Sequence, residues 1–237
     1  MLLDILAFGA HPDDVELFAG GTLAKMAALG HATGVVDMTR GELGTRGTPA
    51  LRKRESEKAA DVLGLKIREN LSLADGHVAV TQEARLKVIR MLRKYRPGIV
   101  LTHHWDDKHP DHVNTSRLVA EAVHHSGLAK IRTGQARYRP PALLFFKLPP
   151  GVSPSFVVDI TDFTDRRNAA IRSYRSQLFD PTSREPATKL SHPDFLTHVE
   201  SIHSYFGSLI GKLKGEAFLS RDTLEVHDLV AQFGRKG

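Results

Sequence analysis

Two short segments of the sequence combine histidine with aspartate at spacings that suit metal-assisted hydrolysis. The first is HPDD, residues 11–14, and the second is HHWDDKHPDH, residues 103–112. A catalytic zinc site commonly uses three nitrogen or oxygen ligands from the protein and keeps one position for water. His11, Asp14 and His112 supply such a set. The sequence therefore predicts that these three residues bind one metal ion.

The remaining groups of the two segments fit the other roles in amide hydrolysis. Asp13 cannot easily bind the same ion as Asp14 without strain, so it is expected to take a proton from the attacking water as general base. His109 is expected to stabilise the oxyanion or protonate the leaving amine, with Asp111 holding its ring. Two alternatives stay open. Asp13 and Asp14 can instead cap a helix, and Fe²⁺ suits such ligands as well as Zn²⁺.

The composition limits the classes of protein to which this chain can belong. The 237 residues are 41% apolar, which is enough for a single domain with a sizeable core. The 33 basic residues are interleaved with 27 acidic ones, so nucleic acid is not an expected partner. No apolar run approaches the length that a membrane span needs, and the N-terminus lacks the pattern of a signal peptide. The absence of cysteine fits a reducing compartment, so a cytoplasmic location is expected.

The segments that must position these residues alternate between strand and helix patterns. This alternation predicts an α/β fold: a Rossmann-like, doubly wound and mostly parallel sheet flanked by helices. The predicted strands are 2–9, 31–38, 66–71 and 98–102, and the predicted helices are 15–29, 49–64, 81–95 and one that begins near His112.

The predicted fold also explains how the two segments can meet. In doubly wound sheets, ligands bind beyond the carboxyl ends of the strands, in the crevice where the strand order reverses. The first and fourth strands are neighbours in the common strand order of such folds. HPDD follows the first predicted strand and HHWDDKHPDH follows the fourth. We therefore expect the two segments to converge on one crevice.

The second half of the chain has weaker patterns. ALLFFKL (142–148) and SFVVDI (155–160) are strand candidates, and TDFTDRRNAAIRSYRSQ (161–177) has the composition of a helix. Residues 179–193 contain three prolines and predict a long loop, which in a compact domain is often a lid over a site. The single domain 1–237 is thus expected to comprise a core of about 1–178 and a loop and helical extension of about 179–237.

Several of these segments also resemble a known family. AHPDDVE near the N-terminus and HPDH about a hundred residues later resemble the LmbE-like (PIG-L) family of zinc N-acetylglucosaminyl deacetylases. GGTLAKMAALGH, LRKRE, HPDHVN, FVVDIT and SYRSQ are similar to the bacterial branch that deacetylates N-acetylglucosaminyl L-malate in bacillithiol biosynthesis. The resemblance implies one Zn²⁺ per subunit on His11, Asp14 and His112, with Asp13 as base and His109 as electrostatic partner. It also implies a homo-oligomer, a trimer or hexamer.

The LRKRE stretch implies by the same resemblance that Arg52 contacts the substrate. A guanidinium can bind a malate carboxylate through two parallel hydrogen bonds. The alternative is an exposed helix arginine paired with Glu55 or Glu57. The substrate also has alternatives: another N-acetylated amino sugar, such as a disaccharide or a mycothiol-type precursor, or a metal- or sugar-binding role without turnover.

The last third of the chain departs from the family pattern. Similar enzymes often place a tyrosine near the metal from this region, where its hydroxyl can help hold the oxyanion. By loose comparison the corresponding residue here is Phe195. His192 or Tyr205 are the candidates for a substitute polar group.

Overall fold

The computed structural model describes residues 1–234, and its elements alternate between strand and helix through most of the chain. The strand and helix predictions for the first half are confirmed to within a few residues at each end. In chain order the elements are β1 (Ile5–Gly9), α1 (Asp14–Ala28), β2 (Thr33–Thr39), α2 (Pro49–Leu63), β3 (Ile67–Leu73), α3 (Gln82–Tyr95), β4 (Ile99–His103), α4 (Pro110–Ser126), β5 (Ala142–Phe146), β6 (Phe156–Asp159), a short 3₁₀ helix (Thr161–Phe163), α5 (Thr164–Ile171), α6 (Phe195–Ser208), β7 (Gly215–Ser220) and α7 (Leu229–Phe233).

The strands form one seven-stranded sheet in the order β3-β2-β1-β4-β5-β7-β6. The first five strands pair in parallel, whereas β7 runs antiparallel to both β5 and β6. The predicted mostly parallel, doubly wound α/β fold is confirmed. The order reverses between β1 and β4, so the crevice expected for a ligand lies where these two strands end.

The core lies on both faces of the sheet, as a parallel sheet covered by helices requires. Alternate side chains of β1 point in opposite directions. Leu6 and Phe8 pack in one cluster with residues of α3 and α4, and Ile5 and Ala7 pack in a second cluster with residues of α1. All five residues of β1 are buried, which explains why this strand lacks polar alternation in the sequence.

The C-terminal third differs from the prediction in two places. The predicted helix over 161–177 ends at Ile171, because the chain then forms turns in which Ser173 and Tyr174 donate to carbonyls three residues earlier. The predicted division at residue 178 does not follow the sheet, since β7 pairs between β5 and β6. The residues after 178 therefore contribute a strand to the core as well as helices. Within 1–234, no helix is both long and apolar enough to cross a bilayer.

Candidate active site

The carboxyl ends of β1 and β4 bring the two histidine- and aspartate-rich segments together. The strands pair in parallel, with Ile5 opposite Ile99, so both end at the same edge of the sheet. HPDD then leads into α1, which starts at Asp14, and the second segment leads into α4, which starts at Pro110. The expected convergence of these two segments on one crevice is confirmed.

The three residues predicted to bind a metal lie side by side at this edge. One ligand atom from each of His11, Asp14 and His112 lies within 4.8 Å of the other two. Asp14 is at the centre, because one carboxylate oxygen is 3.3 Å from His11 Nδ1 and the other is 3.2 Å from His112 Nε2. All three side chains are buried. The geometry thus gathers two imidazole nitrogens and a carboxylate around one point.

The charges around His11 indicate whether a cation would be stable between His11, Asp14 and His112. His11 Nε2 lies 3.1 Å from Asp75 Oδ1 and 3.4 Å from Asp111 Oδ2, so with Asp14 three carboxylates face one imidazole. Burial alone would lower the pKa of His11, but hydrogen bonds to these carboxylates raise the pKa to about 12. The three carboxylates thus favour positive charge at this point, which a divalent cation would supply in place of the His11 proton, and the nitrogen and oxygen donors suit Zn²⁺ or Fe²⁺.

Three further residues support the ring of His112 and were not singled out in the sequence. Asp107 Oδ1 is 3.2 Å from His112 Nδ1, and Lys147 Nζ is 2.8 Å both from that nitrogen and from Asp107 Oδ2. His103 stacks on His112 with 4.2 Å between ring centroids and accepts a hydrogen bond from the Ala10 backbone. A metal-binding histidine often donates its second ring N–H to a carboxylate. A search of the sequence near His112 for such a carboxylate could therefore have identified Asp107.

Asp13 lies beside the triad in an unusual backbone conformation. Its φ of 109° is in the left-handed region, and its side chain makes no capping hydrogen bond to α1. The carboxylate instead contacts Arg52, with 3.0 Å between Asp13 Oδ2 and Arg52 Nη2. Burial raises the pKa of Asp13 to about 7, although the Arg52 guanidinium acts to lower it. A carboxylate with a pKa near neutrality is suited to accept and release a proton.

The chain resembles proteins of one enzyme family. Residues 6–123 match PIG-L, the GlcNAc-PI de-N-acetylase family. Diacetylchitobiose deacetylase of Thermococcus kodakarensis is 30% identical over 219 residues, which cover 87% of this chain and 79% of the relative. This chain belongs to the PIG-L family. It is therefore a hydrolase that acts on amide bonds, in a family typically dependent on metal and with N-acetylated amino sugars as substrates.

Solved structures extend the similarity to the whole fold of this PIG-L protein. A conserved protein from Thermus thermophilus has a TM-score of 0.86 and 38% identity, covering 95% of this chain and 98% of its own. N,N'-diacetylchitobiose deacetylase from Pyrococcus horikoshii has a TM-score of 0.78 and 28% identity, covering 90% of this chain and 82% of its own. The C-terminal third, which lies outside the family match at 6–123, is thus part of the shared architecture.

Arg52 is buried at the site rather than exposed on its helix. Its Nη2 donates to the Pro12 carbonyl at 2.5 Å as well as contacting Asp13. The alternative of an exposed arginine paired with Glu55 or Glu57 is wrong, because Arg52 is buried and Glu55 instead accepts hydrogen bonds from the backbone and hydroxyl of Ser176. Arg52 Nη2 is engaged by the protein itself, and Arg52 Nε has no partner among residues 1–234. The guanidinium therefore lies against Asp13.

His109 and Asp111 are both at the site, but the expected role of the Asp111 carboxylate, to hold the His109 ring, is wrong. The Asp111 carboxylate accepts from the backbone of Gly76 and Val78 and faces His11, so it does not hold the His109 ring. The backbone N–H of Asp111 instead donates to His109 Nδ1. In the neutral ring the proton is then on Nε2. Burial and the nearby His112 lower the pKa of His109, which favours this neutral form.

The two C-terminal candidates for a polar group near the metal, Tyr205 and His192, are both exposed on the surface. Tyr205 is 60% exposed and His192 is exposed beside Asp194. Phe195 lies in a cavity of about 470 Å³ that is also lined by Asp107 and Lys147. The cavity therefore adjoins the partners of His112.

A second buried cluster lies under α1. Arg68 donates through Nε and Nη2 to the two oxygens of Asp37, each at 2.9 Å, and its third nitrogen pairs with Glu16. The hydroxyl of Tyr174 donates to the same Glu16 carboxylate at 2.7 Å. We call these four residues the buried arginine cluster. Glu16 links α1 through this cluster to β2, β3 and the turn after α5.

Proposed function

We propose that this protein removes the acetyl group from an N-acetylglucosamine conjugate by metal-assisted hydrolysis, with Asp13 as the general base. The observation that carries the proposal is the gathering of His11, Asp14 and His112 within 4.8 Å, beside a buried Asp13. These three residues would hold the ion, Zn²⁺ or else Fe²⁺. When bound there, a divalent cation would polarise the acetamide carbonyl and lower the pKa of water.

The residues of the chain account for the proton transfers. Asp13 accepts a proton from water as the water oxygen bonds to the acetamide carbon. The carbon–nitrogen bond then breaks, the proton passes to the leaving nitrogen, and acetate and a free amine are released. In this proposal His109, whose Nδ1 accepts the Asp111 backbone N–H and whose proton is therefore on Nε2, donates a hydrogen bond to the oxygen that gains charge. Asp111 acts on this site through His11 rather than through His109.

Arg52 has a proposed role at Asp13. Its guanidinium stabilises the ionised carboxylate and is held by the Pro12 carbonyl, so it restrains the orientation of the base. A direct contact between Arg52 and a substrate carboxylate stays a prediction.

The conjugate proposed from the sequence motifs is N-acetylglucosaminyl L-malate. Relatives offer two alternatives by their names, since the Thermococcus enzyme is a diacetylchitobiose deacetylase and the Actinosynnema mirum relative acts on an N-acetylglucosamine joined to inositol. The latter is 25% identical and covers 75% of this chain. A cytoplasmic location and a trimeric or hexameric assembly stay predictions.

The test is free-amine release from four substrates: the malate conjugate, diacetylchitobiose, the inositol conjugate and N-acetylglucosamine. Each is assayed with purified protein before chelation, after chelation, and after Zn²⁺ or Fe²⁺ is restored. Metal-dependent release that is fastest from the malate conjugate supports the proposed substrate. Faster release from another conjugate moves the substrate to that class. No release from any of them by the metal-loaded protein contradicts the proposed function and favours a binding role.

A further inference from the structure

Lys147 reaches the proposed metal site from the end of a neighbouring strand. It directly follows β5, which pairs in parallel with β4 so that Phe146 lies opposite His103. Its φ of 58° is in the left-handed region, which is uncommon for a residue with a Cβ atom and persists where surrounding contacts stabilise it. Among residues 1–234, four residues other than glycine have such a φ, and two of them, Asp13 and Lys147, lie at the site.

The ammonium group of Lys147 pairs with the Asp107 carboxylate. Lys147 Nζ lies 2.8 Å from Asp107 Oδ2, and the two side chains are 25% and 9% exposed. The centroid of the Phe18 ring is 5.5 Å from the same Nζ. A partly buried pair of charges is screened much less than a pair in open solvent. Lys147 is therefore a fixed partner of Asp107 rather than a freely moving surface lysine.

The Asp107 carboxylate connects Lys147 to two residues of the proposed site. Its other oxygen, Oδ1, lies 3.2 Å from His112 Nδ1 and accepts the backbone N–H of His109 at 2.8 Å. One carboxylate thus contacts the ring of a proposed metal ligand, the backbone of the proposed oxyanion residue, and a lysine. Because both of its oxygens are occupied, its orientation depends on all three contacts.

The protonation of the His112 ring decides which neighbour can hold it. Its Nε2 faces Asp14, and Lys147 Nζ lies 2.8 Å from its Nδ1. A neutral histidine that binds a metal through Nε2 carries its proton on Nδ1, and an ammonium group has donors only. Two donors do not pair with each other, so the acceptor that they share is the Asp107 carboxylate. Lys147 can therefore act on the metal-bound form of His112 through Asp107.

We infer that Lys147 is a positioning residue for the proposed metal site: it fixes the Asp107 carboxylate, which in turn holds the His112 ring with Nε2 towards the metal. The inference rests on the proposed function for the identity of the ligands. Loss of the carboxylate partner of a metal-binding histidine usually costs about 10- to 100-fold in metal affinity. Lys147 is one contact further from the metal, so a smaller loss is expected there.

The test measures the Zn²⁺ affinity of metal-depleted protein by competition with a chelator. Lys147→Met should weaken Zn²⁺ binding by about three- to tenfold, and Asp107→Asn by about 10- to 100-fold. Lys108→Met removes one positive charge from the exposed position next to Asp107, so it is the control and should keep the wild-type affinity. Tighter binding by Lys147→Met would mean that the lysine acts only by repelling the metal, and it would overturn the inference.

A double substitution tests whether Lys147 acts through Asp107. In Asp107→Asn the lysine has no carboxylate to fix, so adding Lys147→Met should weaken Zn²⁺ binding no further. If the double variant instead binds more weakly than Asp107→Asn by the whole factor measured for Lys147→Met alone, the two residues act independently. That result would contradict the inferred route.

The free energy of unfolding distinguishes positioning from a merely structural role. A structural role would lower this free energy for metal-depleted Lys147→Met, as urea denaturation measures it, and leave the Zn²⁺ affinity of the folded protein unchanged. Unchanged affinity therefore overturns the inference. If Lys147→Met does not fold, Lys147→Gln replaces it with the same expected loss.

This inference and the proposed function can fail separately. Weaker Zn²⁺ binding by folded Lys147→Met supports the positioning role even if the wild type releases no acetyl group from any substrate. Conversely, a wild type that deacetylates and a Lys147→Met variant that binds Zn²⁺ as the wild type does would leave the proposed function intact and overturn the inference alone.

Discussion

Two buried clusters of charged residues flank the start of α1, and the negative charge of their carboxylates is compensated in different ways. In the buried arginine cluster, a permanent cation lies between two carboxylates, because Arg68 pairs with both Glu16 and Asp37. The second cluster, which we call the metal cluster, consists of His11, His103 and His112 with Asp14, Asp75 and Asp111. Its carboxylates face imidazoles, and no lysine or arginine among residues 1–234 pairs with them.

This difference indicates that the buried arginine cluster has a structural role and the metal cluster a functional one. A buried carboxylate is stabilised only if a partner compensates its charge. The chain supplies that partner as Arg68 in one cluster and supplies only titratable rings in the other. A divalent cation bound to His11, Asp14 and His112 would compensate two of the three negative charges of the second arrangement. The comparison therefore predicts that changes in the metal cluster affect metal and turnover, whereas changes in the arginine cluster affect stability.

The largest expected effect is at His112. His112→Ala removes one of three proposed ligands, so the metal content after dialysis should fall from about one ion per chain to near zero. Deacetylation should fall to background with it. His124→Ala, at an exposed histidine of the same helix, is the control and should keep its metal. Elemental analysis of both purified proteins makes the comparison, and full metal content in His112→Ala would remove this residue from the ligand set.

The second-largest effect is expected at Asp13, where a substitution should reduce turnover without reducing metal binding. Asp13→Asn removes the proton acceptor and leaves the three proposed ligands in place, so the metal content should be retained. The value of kcat is expected to fall by about 10²- to 10⁴-fold, the usual contribution of a general base. Elemental analysis and steady-state kinetics on one preparation check both parts. Retained activity would contradict the assignment of Asp13 as base.

A third effect concerns stability alone. Arg68→Met leaves Glu16 and Asp37 buried without their cation, which should lower the free energy of unfolding by about 3–5 kcal/mol. Lys53→Met breaks an exposed pair with Glu57 and should change it by less than about 1 kcal/mol. Urea denaturation of metal-depleted protein measures both, since bound metal would add its own stabilisation. Equal effects of the two substitutions would contradict the distinction between the clusters.

The smallest effect concerns His203, a buried ring whose two nitrogens have no hydrogen-bond partner in the described part of the chain, 1–234. Burial lowers its pKa from 6.5 to about 3, so below pH 6.5 the unfolded chain binds a proton that the folded chain does not. This contribution to stability is complete above pH 6.5 and is lost as the pH falls from 6.5 towards 3, by up to about 1.4 kcal/mol per pH unit. His203→Phe should flatten this dependence in metal-depleted protein, as denaturation at pH 7 and pH 5 would show. An unchanged slope would mean that His203 is not the group responsible.

The predicted parts of the site have a common physical basis. His11, Asp13 and Asp14 follow directly after β1, and His109 and His112 lie at the start of α4, the helix that follows β4, so their types and spacing are visible in two short segments. The order of parallel strands then brings the segments together, and this order follows from the alternation of strand and helix patterns. The fold and the proposed ligand set were predictable because both depend on local sequence.

The other parts depend on contacts that no local pattern records. Asp75 follows β3 and Lys147 follows β5, and each reaches the site only because the sheet is assembled. Arg68 resembles any other arginine in the sequence until β3 packs beside β2 and α1. The strand β7 pairs antiparallel with β5 and β6, a pairing that the parallel strand–helix alternation of the first half does not predict.

The backbone of Asp13 has a consequence for how the sequence responds to selection. A φ of 109° is disfavoured for a residue with a Cβ atom, at a cost of about 1–3 kcal/mol, and glycine adopts it without that strain. A library screened only for resistance to heat, and free to change both residues of the pair, is therefore expected to enrich Asp13→Gly together with a neutral residue in place of Arg52, while losing turnover. The second change is needed because Asp13→Gly alone would leave the Arg52 guanidinium buried without its carboxylate. At this position thermal robustness and catalysis favour different residues, so aspartate persists only where the reaction itself is under selection.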